Sequence, residues 1–189
     1  MLCSAPRDGE KRMRCHLMLA LALVSATPAL ALDLPARKPG LWEVSMTFVG
    51  RKLPTRSIKE CLDAATDRLM NSNFAGAAVG QTCSKQDVVH SGAGIVVDSV
   101  CTVNGTTTAS HAVVTGSFDS AYKVDVTSTR QGGRPMPGVA PGTPTKTEIT
   151  AKWLGACEPG QRPGDMIMGN GMTMNILDLQ KRMQAAPRR

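Results

Sequence analysis

One histidine and one aspartate stand where a β-hairpin would set them side by side. Asn104 and Gly105 form the favoured two-residue hairpin turn, and the runs on either side are rich in valine and threonine. Counting outward from this turn places Asp98 opposite His111. A carboxylate beside an imidazole holds the ring in one tautomer, which is what a general base requires.

A third polar side chain joins this pair if the preceding hairpin turns at Gly92, because Gln86 then lies on the same face as Asp98 and His111. The trio has two interpretations, a catalytic base or a polar network in which the three side chains satisfy one another. The sequence favours the network, since no placed nucleophile, phosphate-binding glycine loop or H-E-x-x-H motif accompanies it. We therefore expect no catalytic residues and a protein that is not an enzyme.

Methionines form a second candidate site near the carboxyl end, in the pattern M-x-M-x-x-x-M-x-M. Thioether sulfurs select Cu(I), so such a cluster would suit a copper carrier. Methionine also fills irregular apolar gaps, and no histidine or cysteine stands nearby to support a metal. We expect packing and no cofactor, with a copper site as the alternative. The methionines of this motif are Met166, Met168, Met172 and Met174.

The first 31 residues resemble a cleavable export signal. Basic residues precede the apolar run at 17–24, and Ala29, Leu30 and Ala31 supply a small-x-small cleavage site. We expect cleavage after Ala31, with Met1 or Met13 as the start, and a single domain at 32–189. The apolar run is shorter than the roughly 20 residues of a membrane-spanning helix. The mature protein is thus expected to be soluble and periplasmic, with no transmembrane segment.

Four cysteines remain after this cleavage, in a compartment that favours disulfides. Four cysteines permit three pairings. A hairpin centred on Gly92 places Cys83 opposite Cys101, within bridging distance across two strands. Cys61 then pairs with Cys157, so we expect two disulfides that staple the domain.

The hydrophobic pattern predicts mostly strands. Period-two alternation marks strands at 41–49 and 55–59, four more fall within 83–130, and another at 146–154. Helical spacing marks 61–70, with Asp63 at its start, and a carboxyl-terminal segment containing Met172, Ile176, Leu179 and Met183. Residues 131–145 are a Pro/Gly-rich loop, either a mobile loop beside a binding site or a spacer. The expected fold is mainly β, an antiparallel meander of about seven strands curled into an open barrel or half-barrel, with one short helix and a carboxyl-terminal amphipathic helix.

One face of the central strands is predicted to be an apolar groove. It follows from the turns at Gly92 and at Asn104 and Gly105, together with a third turn around Asp119 and Ser120. A curled sheet covered by a helix leaves room for an apolar or amphiphilic small molecule. The groove residues are Val88, Val96, Val100, Val113, Val124 and Val126.

Several segments resemble a family of exported proteins of Gram-negative bacteria catalogued as domain of unknown function 3617. They are RKPGLWEV, KECLDAATD, CSKQDVV, VVDSVC, SHAVVTGSFDSAYKVDVTS and ACEPGQRPGDM. The resemblance covers roughly residues 35–178 and implies a periplasmic product whose four mature cysteines are structural. It implies no activity, ligand or catalytic residue.

Charge and composition narrow the function further. The net charge of +7 comes from scattered residues, and aromatic residues make up 3% of the chain, too few for stacking on bases. Nucleic acid is therefore excluded as a partner. The expected function is a non-enzymatic binding module for an apolar or amphiphilic envelope ligand. The alternatives are a methionine-based Cu(I) carrier and a structural or protein-interaction domain, whose protein partner the sequence does not name.

Overall fold

A computed structural model describes residues 34–74, 81–92, 94–134 and 138–185. The predicted export signal and its cleavage site lie outside the described residues. Within those ranges, neither helix combines the length and the apolar character needed to cross a bilayer.

The described chain forms one antiparallel sheet of nine strands and two helices. The order of strands across the sheet is β3-β4-β5-β6-β7-β1-β2-β8-β9. The strands are β1 (Gly40–Val49), β2 (Arg56–Leu62), β3 (Thr82–Ser91), β4 (Gly94–Val103), β5 (Thr106–Ser117), β6 (Ala121–Gly132), β7 (Thr145–Gly155), β8 (Asp165–Met168) and β9 (Thr173–Asn175). The helices are α1 (Ala64–Phe74) and α2 (Ile176–Ala185).

The predicted mainly β fold with a short helix and a carboxyl-terminal helix is confirmed. Two further strands, β8 and β9, form a short hairpin where the sequence shows no strand pattern. Because β2 pairs with β1 on one side and with β8 on the other, β2 is an interior strand of the sheet. Met172, expected on the terminal helix, precedes it.

The sheet is curled but not closed. Gln86 on β3 and Met166 on β8 come from opposite ends of the strand order, yet both line one cavity. Strands β3 and β9 are left as the two edges. We call the face of the sheet that lines this cavity the inner face and the opposite one the outer face.

Buried apolar side chains anchor the middle of the sheet. Trp42 on β1 is fully buried, packs with Leu62 and Ala151, and donates its indole N–H to the Lys38 carbonyl at 2.8 Å. Its ring is tilted against Tyr122 with 5.7 Å between centroids. A second buried cluster lies beside it on β4 to β7 and consists of Ile95, Val114, Val124 and Ile149.

Helix α1 begins where the sequence predicts a cap. The Asp63 carboxylate accepts hydrogen bonds from the backbone N–H groups of Thr66 at 2.8 Å and Ala65 at 3.1 Å. These bonds to the charged form, the one from Thr66 above all, hold the pKa of Asp63 below its ordinary value. The predicted cap is therefore confirmed.

A buried ion cluster ties the segment before β1 to β2 and α1. The Nε of Arg37 donates to Asp67 at 2.6 Å, and one terminal nitrogen donates to Glu60 at 2.8 Å. The backbone N–H of Arg37 donates to the other Asp67 oxygen at 3.0 Å. All three residues are buried. The cluster therefore connects the segment before β1, strand β2 and helix α1 through side-chain contacts.

Both predicted disulfides are confirmed. Cys83 bonds Cys101 between β3 and β4, and Cys61 at the end of β2 bonds Cys157 beyond β7. The first pair is separated by 18 residues in sequence and the second by 96. The Cys83–Cys101 bond therefore closes a short loop and the Cys61–Cys157 bond a long one.

Removing the two disulfides separately should have unequal effects. In the chain-entropy model, the Cys61→Ala/Cys157→Ala variant loses about 4.7 kcal/mol of unfolding free energy, because its loop is long. The Cys83→Ala/Cys101→Ala variant loses about 3 kcal/mol. Urea denaturation of each variant without reductant measures both, and each variant serves as the other's control. An equal or reversed order would contradict this assignment of loop entropy.

Replacing Arg37 by methionine should destabilise the domain by about 3 to 5 kcal/mol, because Glu60 and Asp67 are then buried without their counterion. Chemical denaturation at neutral pH measures the change. Arg56→Met is the matched control, since Arg56 is exposed and should shift stability by no more than about 0.5 kcal/mol. Equal stability of the two variants would mean that the cluster is not structural.

Candidate functional site

The third hairpin departs from the predicted register and changes which valines line the inner face. Ser117 pairs with Ala121, so Phe118, Asp119 and Ser120 form a three-residue loop in place of a two-residue turn at Asp119 and Ser120. Phe118 is drawn inward, where its ring stacks on Tyr122 at 4.7 Å between centroids. A one-residue slip moves every side chain of a strand to the other face.

The consequence for the predicted groove is a correction. Val124 and Val126 lie opposite Val114 and Ala112, on the inner face. Val113 lies opposite Asp125, on the outer face. The prediction that Val124 and Val126 share a face with Val113 is therefore wrong.

The first hairpin is also displaced by one residue over most of its length. Ser91 lies opposite Gly94, so the turn is not centred on Gly92, and a bulge between Cys83 and Lys85 restores the register only at the cysteines. The disulfide is therefore right although the register derived from the same turn is wrong. Val88 lies opposite Val97, on the inner face.

The predicted set thus divides between the two faces. Val96, Val100 and Val113 share the outer face, as the pairings across the Asn104 and Gly105 turn predict. Val88, Val124 and Val126 share the inner face. The prediction of one groove lined by all six valines is wrong, because two of the three hairpins are offset by one residue.

The inner face surrounds a cavity of about 630 Å³. Its walls include side chains of β1 to β8 and of both helices. Many of its lining residues are apolar, among them Leu34, Val44, Met46, Val97, Ala112, Val114, Phe118, Val124, Val126 and Ile149. Cavities of this size accommodate small-molecule ligands, whereas protein interiors are otherwise close-packed.

Side chains on the inner face form rows that run across the strands. Two neighbouring rows are apolar over most of their length. The first is Ile95, Val114, Val124, Ile149 and Met46, with exposed His90 at its β3 end. The second is Val88, Val97, Ala112 and Val126, followed by Thr147 on β7. The next row is uncharged and polar, and consists of Gln86, Ser99, Ser110 and Ser128. The cavity wall therefore changes from apolar to polar across one row of residues.

Two charged side chains of the buried ion cluster, Arg37 and Glu60, also line the cavity. The guanidinium already donates to two carboxylates, so its charge is matched within the protein. Burial raises the pKa of the neighbouring Tyr122 hydroxyl above its ordinary value, even though the nearby Arg37 charge lowers it. Tyr122 is therefore a neutral hydrogen-bonding group at neutral pH.

His111 and Asp98 form the predicted pair but not the predicted trio. The Nδ1 of His111 is 2.9 Å from Oδ1 of Asp98. Their side chains are 54% and 40% exposed and lie on the outer face, away from the cavity. Gln86 lies opposite Ser99 and lines the inner face. The trio is wrong because the turn between β3 and β4 is not centred on Gly92, which pairs Gln86 with Ser99 and not with Asp98.

The methionine motif folds into the β8–β9 hairpin. Met166 lies opposite Met174, and the backbone N–H of Met168 donates to the Met172 carbonyl at 2.9 Å. Because side chains alternate along a strand, the register places the four methionines on one face of the hairpin. Met172 and Met174 are 54% and 37% exposed. Among the described residues, no group of three His, Cys, Asp or Glu side chains is placed to hold a metal.

Sequence reasoning missed the residues that come to the cavity from outside the central strands. Arg37, Glu60 and Tyr122 carry no motif, and each reaches the cavity from a different element. The one local signal was the segment RKPGLWEV, whose alternation marks β1 and whose first residue is Arg37. Nothing in that spacing indicates Glu60 or Asp67 as its partners.

Comparison with known proteins identifies the family of this chain but assigns it no activity. No curated protein and no solved structure matches the chain. One family model matches residues 37–157, the range from Arg37 of the buried cluster to Cys157 of the long-range disulfide. The chain therefore belongs to the family described as Protein of unknown function (DUF3617).

Proposed function

We propose that this protein is a non-enzymatic binding module that takes an apolar or amphiphilic small molecule into the cavity of the curled sheet. The observation that carries the proposal is the open volume of about 630 Å³ lined by the two mainly apolar rows of the inner face. A domain whose only requirement is stability gains by filling such a space, since each unfilled methyl-sized volume is unfavourable. A retained apolar cavity is typical of a ligand site.

An amphiphile fits the lining better than a wholly apolar molecule. The polar row of Gln86, Ser99, Ser110 and Ser128 lies directly beside the apolar row that contains Ala112. A chain packed along the apolar rows would place its polar end among these hydroxyl and amide groups. Buried polar groups of a ligand need such partners, because an unsatisfied one is costly.

The remaining observations also favour a binder over an enzyme. Among the described residues, the one histidine and carboxylate pair that could act as a base is on the outer face, outside the cavity. The two disulfides are typical of proteins that fold in an oxidising compartment. We propose the periplasm as that compartment and an envelope molecule as the ligand.

Filling the cavity should weaken the binding of an apolar probe. The probe is N-phenyl-1-naphthylamine, an uncharged fluorophore whose emission rises in apolar surroundings. In Ala112→Trp, an indole occupies the cavity and displaces probe contacts worth about 60 Å² or more, so the affinity should fall at least about tenfold. Fluorescence titration of the purified protein measures this.

Ala109→Trp is the matched control, because Ala109 is exposed on the outer face of the same strand. It should bind the probe as the unmodified protein does. A wild-type protein that leaves the emission unchanged, or two tryptophan variants with equal affinity, would contradict the proposed function. Thermal melts of both variants show whether each is folded.

A second candidate function rests on the β8–β9 hairpin. In this hairpin Met166 lies opposite Met174, and Met168 is hydrogen-bonded through its backbone to Met172. The register therefore places the four thioethers on one face of the hairpin. Thioethers are soft ligands that select Cu(I). Packing alone does not account for the exposure of Met172 and Met174. Copper carriage is therefore the alternative that the geometry favours next.

Replacing the four hairpin methionines by leucine should abolish Cu(I) binding if this alternative holds, because leucine keeps the volume and removes the sulfur. Anaerobic titration against a competing Cu(I) chelator measures the affinity. The control replaces two methionines away from the hairpin, Met46 and Met70, in the same way. If the wild type fails to compete, or both variants bind alike, the copper alternative ends.

A further inference from the structure

We propose that the anionic head of the bound amphiphile is held by Arg130 and Arg134, in a small cavity beside the polar end of the large one. The inference rests on the proposed function and names the chemical class of its ligand, a single-chain amphiphile with a carboxylate or phosphate head. The shared chemistry is an oxyanion that pairs with guanidinium groups.

The small cavity lies where β6 ends and the Gly/Pro-rich loop begins. Its volume is about 100 Å³. Both arginines line it together with residues of the loop, which are Gly132, Gly133, Val139, Ala140, Pro141, Thr143 and Thr145. A space of this size suits a headgroup and not a hydrocarbon chain.

Two consecutive glycines shape this cavity. Gly132 and Gly133 both have positive φ, at 73° and 67°. A Cβ at Gly133 would collide with the Thr106 side chain, and one at Gly132 would meet the Gly105 carbonyl oxygen. Only glycine lets the loop lie this close to the β4–β5 turn. The backbone thus places Arg134 back beside Arg130 within the same small cavity.

Direct strand neighbours connect the two cavities. Arg130 lies opposite Thr108, which lines the large cavity. Ser110, which also lines it, lies opposite Ser128, and the Ser128 hydroxyl is 3.1 Å from the hydroxyl of Thr145 in the small cavity. A ligand that extends from the apolar rows past the polar row therefore arrives at the two arginines.

The charge of this region is unmatched within the described chain. Residues 126–147 contain no aspartate or glutamate. No carboxylate of the described residues forms an ion pair with Arg130 or Arg134, in contrast to Arg37, which pairs with Glu60 and Asp67. The Arg37 guanidinium, which lines the large cavity, is thus already paired with carboxylates, and the two guanidinium groups beside the polar end of the cavity are not. An anionic head is therefore directed to the small cavity.

The test compares ligands with one chain and different heads. Dodecanoate, dodecyl phosphate and uncharged 1-dodecanol each compete with N-phenyl-1-naphthylamine for the full-length mature protein. The Arg130→Gln/Arg134→Gln variant should bind dodecanoate and dodecyl phosphate about tenfold or more weakly than wild type, while 1-dodecanol and the probe bind unchanged. Lys146→Gln/Lys152→Gln is the control, because it removes two exposed charges from the outer face of β7.

Each outcome separates the inference from the proposed function. If the probe binds but the arginine variant loses no affinity for the anionic amphiphiles, or loses as much for 1-dodecanol, the headgroup subsite is wrong and the cavity proposal stands. If the probe does not bind wild type, the proposed function itself fails. If inorganic phosphate alone competes as strongly as dodecyl phosphate, the small cavity takes a free anion and the inference is overturned.

Discussion

The alternation of side chains along each strand is the constraint on which the rest of this structure depends. Every inner-face row exists because neighbouring strands agree in register, and a shift of one residue would exchange an apolar row for the outer face. Two local features set that agreement in the central hairpins. They are the three-residue loop at Phe118 to Ser120 and the β3–β4 turn, which pairs Ser91 with Gly94. Each differs by one residue from the register predicted from the sequence, and the bulge beside Cys83 returns only the cysteine end of β3 to the predicted pairing.

The curl of the sheet is braced from its flanks, which explains how a space can remain in its middle. Trp42 and its neighbours fill the region around β1, β2 and β7. The Arg37 cluster holds the entering chain and α1 against β2, and the two disulfides join strands on either side. These contacts brace the sheet around the cavity. The cavity wall also contributes to stability, because Val114, Val124 and Ile149 line it and belong to the buried core.

Charge is sorted between the faces in a way that suits an amphiphile. The outer face carries solvated ion pairs, such as Lys123 with Asp125 and Glu148, together with the His111 and Asp98 pair. The inner face is apolar over two rows, uncharged and polar over the next, and basic beyond it at Arg130. The one ion cluster at the cavity is neutralised by its own carboxylates. This order of apolar, hydroxyl and guanidinium groups would orient an amphiphile with its hydrocarbon chain on the apolar rows and its head near Arg130.

The sequence by itself determined the class of the fold, the cap at Asp63 and the pairing of Asp98 with His111, because each depends on a local pattern or on one strong turn signal. Both disulfides were also predicted correctly, although the bulge beside Cys83 is what brings Cys83 opposite Cys101. Asn104 and Gly105 specify their hairpin unambiguously, and every pair counted from it is correct. Only the tertiary structure decided which face became the cavity. That choice depends on Phe118 packing on Tyr122 and on the β3–β4 turn, which pairs Ser91 with Gly94. Long-range contacts bring together the residues that complete the site, Arg37, Glu60 and Tyr122. Such contacts produce no regular spacing in the sequence, so they cannot be predicted from it.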